Sequence, residues 1–114
     1  MMLKEEEKQA FIQAVYNIVS LIPEGRATSY GLIAKAIGFP TLFRMVGKVM
    51  SQLDASQNNL PAHRVVNNQG ILSGEKAFGD SNEMQQLLEA EGIIIINSRI
   101  KYWKRVRWNP LEEI

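Results

Sequence analysis

Apolar residues at helical spacing, cut into short segments by proline and glycine, constrain the first half of this chain most. Between Glu5 and Ile22, the residues Phe11, Val15, Ile18, Val19 and Ile22 recur at three- and four-residue intervals, which gives a helix one apolar face. Pro23-Glu24-Gly25 stops that helix. Arg26-Ala27-Thr28 fits a brief extended piece. A second helix fits Ser29 to Ile37. Thr28 or Ser29 is its N-cap, since a short side-chain oxygen can accept from an orphan N–H of the first turn, and Gly38 closes its end. Phe39-Pro40 makes a turn, and Thr41 is expected to cap a third helix reaching about Leu53. Two short helices joined by a tight glycine-containing turn suggest a helix-turn-helix, a pattern that ordinary helical hairpins share.

The second half reads differently. Asp54 to Leu60 is a polar loop, and Arg64-Val65-Val66 a short strand. Asn67-Asn68-Gln69-Gly70 has turn chemistry, because Asn and Gly tolerate positive φ, and Ile71-Leu72 could return as the partner strand. After a polar loop from Ser73 to Gly79, Asp80 or Ser81 caps a last helix with Met84, Leu87 and Leu88 inward and Gly92 at its end. Ile93 to Ile96 and Tyr102 to Trp108 are strand candidates. With 114 residues the chain has the size of one compact domain, expected to be α/β and to span residues 1–114.

Composition removes several functions. Cysteine is absent, so disulfides, thiolate metal sites and a cysteine nucleophile are excluded. A single histidine, His63, excludes a multi-histidine metal centre, and no cofactor is indicated. No apolar run approaches the roughly 18 residues of a membrane span, and the N-terminal stretch is acidic, so a soluble cytoplasmic protein is expected. The net charge of +1 argues nothing about nucleic acid by itself. Its distribution says more: Glu5, Glu6 and Glu7 crowd the start, while Lys101, Lys104, Arg105 and Arg107 are interleaved with Tyr102, Trp103 and Trp108 near the end.

On the third helix, Val46, Val49, Met50 and Leu53 share one face, an ordinary core face. Arg44, Gly47, Lys48 and Ser51 share another. Glycine inside a helix costs about 1 kcal/mol relative to alanine. Either DNA or a neighbouring helix coming close to the backbone would explain it.

Pro61-Ala62-His63-Arg64-Val65-Val66 is the most specific segment, and Leu87-Leu88-Glu89-Ala90-Glu91-Gly92 follows at the last helix end. With the helix-turn-helix, these residues resemble the DNA-binding domain of O6-alkylguanine-DNA alkyltransferases. More specifically, they resemble the alkyltransferase-like proteins, which carry tryptophan or alanine at the reactive cysteine. The resemblance runs from about Phe11 to Trp108, and Ile22 to Tyr30 is similar to the family's Pro-X-Gly-X-X-(Ser/Thr)-Tyr segment.

It implies roles residue by residue. Tyr30 would press on the phosphate 3′ to the target nucleotide, and Arg44 would enter the base stack as the finger that replaces a flipped base. Gly47 would let the minor groove come close, with Lys48 and Ser51 beside it on the DNA-binding face. Ala62 stands at the alkyl-acceptor position, and His63 and Glu91 are the remnants of a proton relay. Pro61, Ala62, Arg64, Val65 and Ser73 would line the lesion pocket, with Arg64 in a structural role. Gly74 to Gly79 departs from the enzymes' Tyr-X-Gly-Gly loop, and the asparagine expected in the 54–60 connector has only Asn58 and Asn59 as candidates.

The implied fold is one α/β domain carrying a winged-helix-like helix-turn-helix, like the alkyltransferase C-terminal domain. The implied function is a non-enzymatic damage sensor. It binds duplex DNA containing O6-alkylguanine through the minor groove, flips the base and flags it for nucleotide excision repair proteins. A transcription regulator reading the major groove is the alternative of a different class. Gly47 and Ser51 argue against it, since they offer few groups for base readout. The second alternative is an alkyltransferase silenced by a Cys-to-Ala change, against which the altered 74–79 loop and the short chain speak.

Overall fold

The computed structural model describes residues 4–52, 59–72 and 81–114. Helix α1 spans Glu5–Val19 and buries Phe11, Val15 and Val19. Its first turn carries Glu5, Glu6 and Glu7, negative charge at the positive end of the helix dipole. The helix stops short of the expected Ile22. Leu21 N–H donates to the Ile18 carbonyl (3.0 Å) and Ile22 N–H to that of Val19 (3.2 Å), three-residue bonds that tighten the chain beyond Val19 and end the α-helix. Ile22 is still buried, outside the helix.

Strand β1, Thr28–Ser29, leads directly into helix α2, Tyr30–Ile37. Ser29 caps α2 by accepting from Leu32 N–H at 3.2 Å, and Gly38 ends it at φ 102°, a left-handed conformation that suits glycine. Thr41 does not cap the third helix. A 3-10 turn, Pro40–Leu42, with proline at its start, runs straight into helix α3, Phe43–Ser51, so Thr41 already lies inside a helical turn. Val46, Val49 and Met50 are buried on α3, and Leu53 lies outside the described residues.

A 3-10 turn, Ala62–Arg64, precedes strand β2, Val65–Val66. β2 pairs in parallel with β1, Thr28 opposite Val65 and Ser29 opposite Val66, and not with the expected Ile71-Leu72. Asn67 closes a tight turn directly after β2: its Oδ1 accepts from Gln69 N–H and Ile71 N–H, each at 2.9 Å, and its own N–H donates to the Ile71 carbonyl at 3.1 Å. Ile71 bridges to Arg99 instead, and Leu72 N–H donates to the Ser98 carbonyl at 2.8 Å.

Helix α4, Ser81–Ala90, buries Met84 and Leu88 completely, while Leu87, expected inward, is exposed. The buried stripe is a narrow i, i+4 row. Asp80 lies outside the described residues. Gly92 leaves α4 at φ 90°. Strands β3, Ile95–Ile96, and β4, Arg99–Ile100, form an antiparallel hairpin. Asn97 and Ser98 both sit at positive φ, the geometry of a two-residue hairpin turn.

The stretch from Tyr102 to Trp108 is not the expected strand. Trp103–Val106 forms a short helix, α5, entered through Tyr102 in the left-handed region at φ 60°. Packing overrides the strand-like composition. The Trp103 ring covers Gly70, while Arg26 Nε and Nη2 donate to the carbonyls of Val106 (2.9 Å) and Arg107 (2.7 Å). Only Arg107 keeps a strand-like pairing, a parallel bridge to Ala27. Helix α6, Pro110–Glu113, follows.

The two-stranded β1·β2 pair separates two apolar clusters. Val65 faces the first, with Phe11, Val19, Ile33, Val46 and Trp108. Val66 faces the second, with Met84, Leu88, Ile95 and Ile100. Alternation along a strand thus serves both cores. Among the described residues no helix is long and apolar enough to cross a membrane.

Candidate nucleic-acid interface

The β1–α2 junction and α3 bring the first group of expected residues together. Tyr30 is the first residue of α2, fixed there by the Ser29 cap. Gly47 lies opposite: a Cβ built on it would stand 3.9 Å from Tyr30 Cδ1 and 4.0 Å from Cε1, with nothing nearer. That is ordinary contact, so among the described residues no neighbouring helix requires glycine at position 47. Arg44 is exposed one turn earlier, its guanidinium carbon 6.0 Å from the Phe43 ring centroid, and it makes no ion pair among the described residues. Lys48 and Ser51 are also exposed, the Ser51 hydroxyl donating to the Lys48 carbonyl at 2.8 Å. One helix face therefore presents two long cations, bare backbone and a small hydroxyl beside an aromatic ring.

The second group is organised around Glu91. Ala62 is buried and packed into the first apolar cluster. His63 Nε2 lies 2.6 Å from Glu91 Oε2. Arg64 grips the same carboxylate: Nε is 3.0 Å from both oxygens and Nη2 is 2.9 Å from Oε2, while Nη1 donates to the Ile22 carbonyl at 2.8 Å. Gly25 N–H donates to Glu91 Oε1 at 2.8 Å. Burial by itself would push the Glu91 carboxyl up. The hydrogen bonds from Arg64, His63 and the Gly25 backbone outweigh it and hold the carboxyl below its ordinary value of 4.5. The guanidinium of Arg64 is thus turned to the frame that holds Glu91.

Pro61 is half-buried and Val65 buried beside Ala62, while Ser73 and the Gly74–Gly79 loop lie outside the described residues. So does Asn58; Asn59 is exposed at φ 53°. Some contributors were not legible beforehand. Gly25 acts through its backbone; its sequence signals, the helix stop at Pro23-Glu24-Gly25 and the glycine of the Pro-X-Gly segment, did not point to Glu91. Asn68 Oδ1 accepts from Gly31 N–H at 2.9 Å, and its carbonyl accepts from Trp103 Nε1 at 3.3 Å, so one turn residue braces the start of α2 and α5.

Residues 10–93 match the family described as 6-O-methylguanine DNA methyltransferase, DNA binding domain. The DNA base-flipping protein of Escherichia coli (strain K12) is 41% identical over 106 residues, covering 93% of this chain and 80% of that protein. Alkyltransferase-like protein 1 of Schizosaccharomyces pombe is 32% identical over 104 residues, covering 88% and 95%. A crystal structure of S. pombe Atl1 in complex with damaged DNA containing O6-carboxymethylguanine superposes with a TM-score of 0.79 at 30% identity, covering 95% of this chain and 100% of that one. The fold, the Pro61–Val66 segment with alanine at its second position, and these likenesses agree: the chain belongs to the O6-methylguanine-DNA methyltransferase family and, within it, to the alkyltransferase-like proteins.

Proposed function

We propose that this protein is a non-enzymatic sensor of DNA damage, which binds duplex DNA through the minor groove and turns an O6-alkylated guanine into a pocket at Ala62. The observation that carries this reading is the pairing of two features. The Tyr30–Gly47–Arg44 face is built for close approach, while Ala62 supplies no nucleophile within an otherwise intact His63–Glu91–Arg64 frame. Rotating a base out of the stack costs a few kcal/mol. Backbone contacts and an inserted side chain offset that cost. Arg44 can stack on bases and hydrogen-bond the orphaned partner. Alkylation at O6 weakens pairing with cytosine, so the damaged guanine leaves more readily than its neighbours. Alanine is smaller than cysteine and leaves room for larger adducts. Pro61, Ala62 and Val65 line the pocket, with Arg64 behind them as a brace. With no alkyl acceptor, the complex persists, and it flags the lesion for nucleotide excision repair proteins.

Titration of plain duplex and of duplex with one O6-methylguanine, at one fixed salt concentration, tests the reading. Tighter binding to the lesion is expected, with no methyl moved to the protein. Equal affinities would remove the sensor. In the same assay Arg44→Ala should weaken lesion binding and nearly abolish flipping. A base analogue beside the lesion, fluorescent when unstacked, reports it, and an undiminished signal would refute the finger.

A further inference from the structure

The sequence places five cations, Arg99, Lys101, Lys104, Arg105 and Arg107, within nine residues and no acidic residue from Asn97 to Pro110. All five are exposed, and none forms an ion pair among the described residues. In a chain whose net charge is only +1, this is marked segregation of charge. We propose that this segment is a second contact for the DNA backbone, continuous with the base-flipping face and indifferent to the lesion. The proposal rests on the DNA-binding reading above and extends its footprint.

Continuity with that face is carried by Asn68. It holds Gly31, the neighbour of Tyr30, through its side chain, and Trp103 through its carbonyl. Arg107 lines a groove of about 260 Å³ together with Lys35, Phe43 and Asn68, and the Phe43 ring centroid lies 6.0 Å from the Arg44 guanidinium carbon. The basic segment is also held firmly. Trp103 packs on Gly70, where a Cβ would come within 2.9 Å of the ring, and Arg26 grips the Val106 and Arg107 carbonyls. Tyr102 is 56% exposed, with Lys101 Nζ at 4.9 Å and Arg105 Cζ at 5.6 Å from its ring centroid. A solvent-facing ring flanked by cations suits a sugar-phosphate backbone: the cations meet phosphates and the ring meets the sugar edge. Each phosphate neutralised releases counterions, so the contact adds salt-dependent affinity with no reading of bases.

The test uses the full chain and the triple variant Lys101→Gln, Lys104→Gln, Arg105→Gln. These side chains are exposed, so thermal melting should match wild type. Labelled duplexes, plain and with one O6-methylguanine, are titrated across a salt series. The slope of log affinity against log salt should become shallower by about 2 to 3, since each contact to B-DNA contributes about 0.9. Binding should fall on the order of tenfold on both duplexes, leaving the lesion preference unchanged. Unchanged slope and affinity on both would overturn the proposal and assign the patch to an acidic protein surface instead. If the triple variant melts early, Lys104→Glu alone must still weaken both duplexes, and failure to do so is equally fatal. Should wild type show no lesion preference, the sensor reading fails, while the slope on plain duplex still decides this proposal.

Discussion

Gly47 poses the clearest question for a single residue, because nothing among the described residues requires a glycine there. Among the described residues an added methyl would meet only the Tyr30 ring at ordinary distance, and the position is helical. Gly47→Ala should therefore stabilise the free protein by about 0.5–1 kcal/mol. It should also weaken DNA binding, because the methyl would stand where the groove approaches. Urea melts and duplex titrations on the same preparation check both signs, and a stabilised variant that binds normally would show that DNA does not approach here. Ala62→Cys asks the converse question. A thiol reacts only after losing its proton, and free cysteine has a pKa of about 8.5. His63 already contacts Glu91 through Nε2, so a proton from position 62 would have to arrive at the other ring nitrogen. Slow methyl transfer at best is expected, since misalignment can cost on the order of a hundredfold. Radiolabelled methyl transfer under single-turnover conditions measures it. Fast, complete transfer would mean that alanine alone silences the site.

Among the elements, the turn after β2 joins more than its length suggests. Asn67 organises the turn itself, and Asn68 reaches across 37 residues to the Gly31 N–H at the head of α2. Asn68→Ala should cost about 1 kcal/mol, the net worth of one hydrogen bond. It should also loosen Tyr30 and weaken lesion binding a few-fold. A Cβ on Gly31 would stand 2.7 Å from Asn68 Oδ1, the movable end of an exposed side chain, so Gly31→Ala should displace that hydrogen bond in wild type and be more favourable once Asn68 is alanine. Denaturant midpoints of the two single variants and the double variant provide the cycle, and strict additivity would deny the contact. The helical segments α1 to α3 were legible because their spacing, the Ser29 cap and the Gly38 stop are all local signals. Tyr102 to Trp108 was misleading for a matching reason. Its aromatic and β-branched residues suit a strand, but Trp103 on Gly70 and Arg26 on two carbonyls hold a helical turn there.

Across the whole molecule, Glu91 ties parts that are far apart in sequence: the end of α4, the Gly25 turn, the Ala62–Arg64 turn and, through Arg64, Ile22. Its carboxyl is held below its ordinary value of 4.5 in the folded protein. By linkage, its contribution to stability is fully present above about 4.5 and is lost as pH falls through the lower folded value. Glu91→Gln should therefore cost on the order of 3 kcal/mol at neutral pH, because Arg64 loses its buried partner, and should flatten the acid limb of the stability curve. Urea midpoints at pH 7 and in the acid range test this, and an unchanged acid limb would remove Glu91 from its place as the tie. The sequence by itself determined the helical first half and its punctuation. It also placed alanine within the Pro61–Val66 segment, and with it the loss of transfer chemistry. Those features depend on bonds and residue types a few positions apart. Only the tertiary structure decided that β2 pairs with Thr28–Ser29, that Arg64 and Gly25 close on Glu91, and that Asn68 links Tyr30's helix to the basic segment. Partners separated by dozens of residues are chosen by which surfaces fit once the cores pack, and no local periodicity records that choice.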